Sequence, residues 1–366
     1  MNYVKYITVY AILMLVACST QSSRDHAYIE YSIDHSDFNE IIRLKANLLH
    51  PVNNYILNPE FISISDTILI VYESGFHEDI FKLFSINDYS YLGGYGIVGQ
   101  GPMEHSQIIQ NIVQIIGDSA NERIVLFDWS KKRLVRLNIA DIKYGSFEEF
   151  DLEYILIPEV ILSQRATFLN DSTIVGMGGI HQGLLYFVNT TNDSVVFTPF
   201  TPKLERKVGL REIPHLYRGE FAIDKTTNSI IAATKWFPQI LFYDFDGNLQ
   251  KVTRFKRSIS PIQQKEMERI LYYKDVKVTD HFIYAVYLGL SYNDMIKIRE
   301  VYENKGVTYS TEIHVYDRNG NPIRKIILED KFIQFISIDS VNNRLFAVDV
   351  FSDSLPLIYF ESDLIK

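Results

Sequence analysis

Short apolar runs of four to eight residues recur along this chain, separated by turn-forming residues, and few of them keep helical spacing. They group into one repeated design: a strand, a tight turn, a second strand, a connector, a third strand and usually a fourth. FISIS and ILIVY from Phe61 are matched by IVQIIGDSANERIVLFD from Ile112, ATFLNDSTIVGM from Ala166 and EFAIDKTTNSIIAAT from Glu220. VKVTDHFIYAVY from Val276 and FISIDSVNNRLFAVD from Phe335 complete the series. The third strands are IFKLFS, RLVRLN, LLYFVN, ILFYDF, EIHVYD and LIYFES. Units of this kind cannot bury their faces alone and stack on their neighbours.

Six such units predict an all-β fold, a six-bladed β-propeller of four-stranded antiparallel blades. The last unit has three strands before the sequence reaches Lys366, and Phe38 to Leu49 (FNEIIRLKANLL) is an unassigned strand-like run ahead of the first. This run is expected to supply the outer strand of blade six and close the ring, removing two exposed sheet edges. Two segments depart from the pattern. Pro261 to Tyr273 has apolar residues near helical spacing behind a proline, which predicts a short helix. Ser291 to Ser310 is an insertion in unit five, and its MIKIREVYENK reads equally as a helix or a long hairpin.

Tyr91 to Pro102 (YLGGYGIVGQGP) is the most distinctive connector. Gly94, Gly96 and Gly99 spell G-x-G-x-x-G, but a dinucleotide site needs a helix to start there. Gly101-Pro102 opposes one, so the expectation is a glycine-rich connector passing close to other chain segments. The turns Tyr243–Asn248 (YDFDGN) and Tyr316–Asn321 (YDRNGN) share a pattern, with Gly and Asn at positions suited to positive φ. Asp244 and Asp246 could open a calcium loop, yet the downstream acidic ligand is missing and the second turn lacks the second Asp.

Composition narrows the setting. The aromatic share of 13%, from 24 Tyr and 23 Phe, favours strands. A net charge of −9, with no basic stretch longer than Lys131–Arg133, excludes nucleic acid as an expected partner. Residues 1–17 read as a signal peptide, with Lys5 ahead of an apolar core from Ile7 to Val16 that is short for a membrane span. Leu15-Val16-Ala17-Cys18 looks like a bacterial lipobox, which implies lipidation of Cys18, the chain's single cysteine. Residues 18–37 would then be a lipid-anchored tether and 38–366 the propeller. Without a second thiol, packing alone must hold that domain.

Together the lipobox, the six repeats, the connector residues Gly96, Gly99, Gly101, Pro102 and Glu104, and the Y-D-x-x-G-N turns resemble the TolB-like six-bladed propeller lipoproteins of Bacteroidota. The resemblance covers essentially the whole mature chain. His105 stands where an aromatic residue is usual. It implies an outer-membrane lipoprotein of the cell envelope, facing the periplasm or the surface, with the membrane as one partner through Cys18. Repeat shape also resembles other six-bladed propellers, including lactonases and NHL-type binding modules, and a fold does not choose among them.

Counting strands A to D outward from the axis, the B–C loops and D-to-A connectors share one face. That face is expected to gather the candidate binding residues Trp129, Trp236, His77, His181, Arg218 and Glu104. Exposed aromatic side chains on loops suit a protein, peptide or glycan, although the same residues could simply cap the blades. The sequence has no H-E-x-x-H, paired cysteines, close His pair or G-x-S-x-G, so no catalytic residue, metal site or cofactor is assigned. The reading is a non-enzymatic binding module. The alternative is a metal-dependent lactonase-like hydrolase or lyase, with calcium held by Glu73, Asp128 or Asp349.

Overall fold

Each predicted unit forms its own sheet with a four-stranded antiparallel core in the computed structural model, two of the sheets gaining a fifth strand, and the six sheets stand around one axis as a β-propeller. The structure describes residues 27–366 apart from 66, 74–77, 102–103, 106–113, 117–121, 129, 145–151, 159–164, 179–183, 199–200, 203–211, 257–260, 307–308, 353–355 and 366. The inner A strands are Pro59–Ile64, Gln114–Ile116, Arg165–Asn170, Gly219–Asp224, Ile270–Val278 and Ile333–Asp339. The B strands explain why the chain reads as continuous apolar runs rather than alternation. Ile68–Glu73 is buried at all six positions because neighbouring blades cover both faces of its sheet.

Turn chemistry fastens blade to blade. Asp244 accepts hydrogen bonds from the backbone N–H of Asp246 (3.0 Å) and Asn248 (2.8 Å), the role of a turn residue rather than a calcium ligand. Gly247 takes φ 79°, and a side chain there would strike Thr198 and Phe187 of blade three. In the next blade Gly320 (φ 70°) lies equally close to Phe242 of blade four, and the Thr253 hydroxyl donates to its carbonyl at 3.0 Å.

The N-terminal run does more than close the ring. Ile29–Ile33 pairs in parallel with the outer strand of blade four, from Ile29 opposite Lys251 to Ile33 opposite Phe255. Glu40–Leu44 pairs in parallel with the outer strand of blade five. Only Asn47–Leu48 joins blade six, antiparallel to Leu357–Glu361. The closing strand is therefore two residues long, and most of Phe38–Leu49 covers blade five instead. The globular domain also begins by Ile29, inside the stretch expected to be a tether. Between the first two strap strands, the 3-10 turn His35–Asp37 and the buried Phe38 fill the wedge where blades four and five diverge. The Phe38 ring lies 4.6 Å from His314 and 5.5 Å from Tyr316.

The two interruptions resolve differently. Pro261–Tyr273 is not one helix: it makes 3-10 turns at Pro261–Gln263 and Glu266–Glu268, and the inner strand of blade five starts at Ile270. The apolar residues at its end are claimed by the sheet, a tertiary gain that outweighs weak helical spacing. The insertion is a helix, Tyr292–Lys305, capped by Ser291, whose hydroxyl accepts from the Asp294 N–H, and ended by Gly306 at φ 65°.

Strap removal is directly testable. A chain beginning at Ala27 should melt with one beginning at Ser19. One beginning at Ala46 should melt well below it, having lost the buried Ile33, Phe38 and Leu44 and uncovered two sheet edges. Identical melting temperatures for the two would show that the strap carries no stability.

Candidate functional site

The six A strands enclose an axial cavity of about 540 Å³. Blade four contributes the largest share of its lining, from Glu220 to Thr226. Blade five adds Val276 to Asp280 with Arg318, and Ser63, Thr167, Ser337 and Ser340 come from other blades. The A strands end at this mouth, where the lining includes the A–B turn residues Lys225, Thr226, Asp280 and Ser340 of blades four, five and six. The cavity therefore opens on the face opposite the one singled out from the sequence.

Its polar groups are arranged in pairs. Asp224 is 1% exposed; its carboxylate accepts from Arg318 Nη2 at 2.5 Å, from the backbone N–H of Thr226 and Thr227 at 3.0 and 3.2 Å, and from the Thr227 hydroxyl at 2.7 Å. This pair ties the A–B turn of blade four to the C–D turn of blade five. Asp275 is buried behind the wall, where it accepts the Ile336 N–H of blade six at 3.0 Å and lies 3.2 Å from Lys277 Nζ. Burial raises its pKa above the usual carboxylate value. Lys277 and the Ile336 N–H counter part of that rise, and Glu220 adds to it. The cavity thus offers hydroxyls, both signs of charge and one aromatic ring, Phe221. Such a lining can hold a polar ligand by hydrogen bonds and charge pairing.

On the opposite face, the described candidates have structural work. Trp236 is 9% exposed and packs with Leu271, Leu288 and Phe332. Lys235 Nζ lies 4.4 Å from the centre of its ring, and Tyr292 of the inserted helix sits 6.1 Å away. It is a core residue under the insertion, not an exposed platform. Glu104 is likewise a fastener. Its carboxylate accepts the Gly101 N–H at 2.6 Å, and its carbonyl accepts Lys131 Nζ at 2.6 Å and Arg133 Nη2 at 2.9 Å. A Cβ on Gly99 would lie 2.0 Å from the Glu104 carboxylate, so a side chain there would displace that acid from the turn. The connector motif is a clasp between blades one and two. Gly94 and Gly96 lie within the strand Tyr91–Ile97, and the described residues that follow it, 98–101, are not helical. His105 is buried, its Nε2 2.8 Å from the Tyr95 hydroxyl. Arg218 is exposed, and its carbonyl accepts the Lys235 N–H at 2.7 Å. Trp129, His77, His181 and Cys18 lie outside the described residues.

The three carboxylates considered for calcium are not gathered together. Each ends a B strand and is engaged locally: Glu73 by the Leu57 and Asn58 N–H groups and Lys82, Asp128 by Arg133 and the Lys131 N–H, and Asp349 by Lys331. Among the described residues, donors close enough to share a metal are instead His35, Glu312 and His314, in the wedge between blades four and five. Burial holds the His314 imidazole down at about 4. For Glu312 burial acts upward, but His314 and Lys325 outweigh it and hold the carboxyl at about 2. No local motif announces this group, because His35 is supplied by the strap. The one sequence signal is Glu312-Ile313-His314, two ionisable residues on the same face of a central strand.

Comparison with known proteins agrees with the architecture. The family model described as "TolB-like 6-blade propeller-like" matches residues 253–341. No curated protein matches the chain. Among solved structures, a luciferin-regenerating enzyme superposes with a TM-score of 0.50 at 10% identity, over 88% of this chain and 97% of that one. A Bacteroides fragilis protein described as exported gives 0.49 at 14% identity, over 87% and 98%. A member of the duf4221 family from Bacteroides vulgatus gives 0.48 at 12% identity, over 84% and 92%. At these identities the likeness concerns the fold.

Trp236→Ala should cost about 3–5 kcal/mol of unfolding free energy, the range for removing a large buried aromatic side chain. Urea denaturation measures it. A loss below about 1 kcal/mol would return the indole to the list of surface residues.

Proposed function

We propose that this chain is a lipid-anchored binding module of the cell envelope, whose axial cavity takes a short polar peptide segment. The observation that carries this reading is the cavity itself. Its volume of about 540 Å³ falls within the range of pockets that enclose small ligands, roughly 300–1,000 Å³. Paired acids and bases with several hydroxyls match a peptide's amides and charged ends. A glycan site is less well supported, because Phe221 is the single aromatic residue in the wall among the described residues. The lactonase-like alternative draws no support from Glu73, Asp128 and Asp349, which cap separate B strands.

The lipobox at Cys18 supports the anchor, and the strap's direction gives it a consequence. Ile29 pairs with Lys251, next to the C–D turn of blade four, so the chain reaches the domain on the face where the cavity opens. Ten residues separate Cys18 from Ile29, a reach of at most about 40 Å when fully extended. An anchored molecule would present its cavity toward the membrane, and a partner rooted in that membrane is the natural source of the segment.

Two experiments test the parts separately. Native mass spectrometry after incubation with a mixture of tripeptides should find peptides retained by the wild type and lost from Ser340→Trp, which plugs the mouth from an exposed rim position. Equal retention by both, or retention of disaccharides instead, would sink the peptide reading. For the anchor, Cys18→Ser should move the protein from the membrane pellet to the soluble or unprocessed fraction. A variant still fully in the pellet would place the attachment elsewhere.

A further inference from the structure

The strap is pinned to blade five by a continuous polar chain in an otherwise aromatic wedge. His314 is fully buried on the third strand of that blade, with the Tyr287 ring stacked on it at 4.3 Å. Its Nε2 lies 2.5 Å from Glu312 Oε1, and its Nδ1 lies 3.1 Å from the Tyr273 hydroxyl, itself 2.7 Å from that of Tyr316. Lys325 Nζ stands 2.9 Å from the same Glu312 oxygen and 2.9 Å from His35 Nδ1. One ammonium is therefore held between a carboxylate and an imidazole, with a second imidazole beside it. This is a cation site with a side chain for its cation.

We infer that His35, Glu312 and His314 form a zinc site in which Lys325 is the competing internal cation. The donors are of the right kinds: two imidazole nitrogens and a carboxylate oxygen, all within 4.8 Å of one another, near enough to converge on one ion by small side-chain movements. The outer partner is also in place. When Tyr273 donates to Tyr316, its oxygen can accept an N–H from His314 Nδ1, leaving Nε2 with a lone pair for the metal. That is the usual way a ligating histidine is oriented. Access comes from the strap side, where His35 is exposed, and Lys325 has a long stem on which to swing its charge toward water. Three protein ligands leave a fourth position for water. A metal here would join the strap to blade five through His35, so binding should stabilise the fold.

The test uses the tag-free wild-type protein with Co²⁺ as a visible probe and Zn²⁺ in competition. The expected result is a one-to-one complex with the intense visible bands of a low-coordinate cobalt site, displaced by Zn²⁺. Zn²⁺ should also raise the melting temperature. His35→Ala, at an exposed position, should weaken binding by at least about 10-fold, and Lys325→Met should strengthen it by about 10-fold. No cobalt spectrum in the wild type would overturn the inference. So would a spectrum indifferent to His35→Ala, or an affinity unchanged by Lys325→Met.

Discussion

A propeller is stable only when every blade has a neighbour on both faces, so the contact between blades six and one must be closed by something other than sequence adjacency. Here the closing strand is Asn47–Leu48, and two residues make a slender seal. The surrounding structure shows how it suffices. The Asn53 side chain donates to the Leu357 carbonyl and accepts its N–H, both at 3.0 Å, while Leu49 and Val52 are buried against blades six and one. The preceding strap adds parallel strands to blades four and five, so the chain embraces half the ring before it enters the first blade.

That embrace links stability to function. The strap covers three outer edges, fills the wedge with Phe38 and His35, and determines the face on which the N-terminal segment departs. The axial cavity opens on that face. Packing, polar network and exit direction all follow from the first twenty described residues. These look like linker in the sequence, because each strap strand is short and has one solvent-facing side with exposed residues such as Ile29 and Ile41.

The fold was legible wherever burial is two-sided. ILIVY, SIIAAT and RLFAVD are strands because both faces meet apolar neighbours, and the positive-φ glycines of the two Y-D-x-x-G-N turns marked the hairpins that fasten adjacent blades. The site was not legible for a geometrical reason. Sequence marks chemistry by rarity, and the rare tryptophan that the structure describes, Trp236, is consumed by packing under an insertion whose conformation the sequence left open. Glu104 similarly completes a turn. The cavity is built from common residues, Ser, Thr, Asp and Lys, at A-strand ends that meet only when the ring closes. His35 joins Glu312 and His314 across about three quarters of the chain, a pairing that periodicity cannot reveal.

The most direct test of the account is the orientation of the anchored molecule. Cys18 is the single cysteine and the proposed lipidation would consume it, so a fluorophore can be attached at Ser340→Cys beside the cavity mouth or at Glu303→Cys on the inserted helix. Energy transfer to an acceptor lipid in reconstituted vesicles should be clearly stronger from position 340 than from position 303. Equal transfer, or stronger transfer from the helix, would contradict a cavity turned toward the membrane.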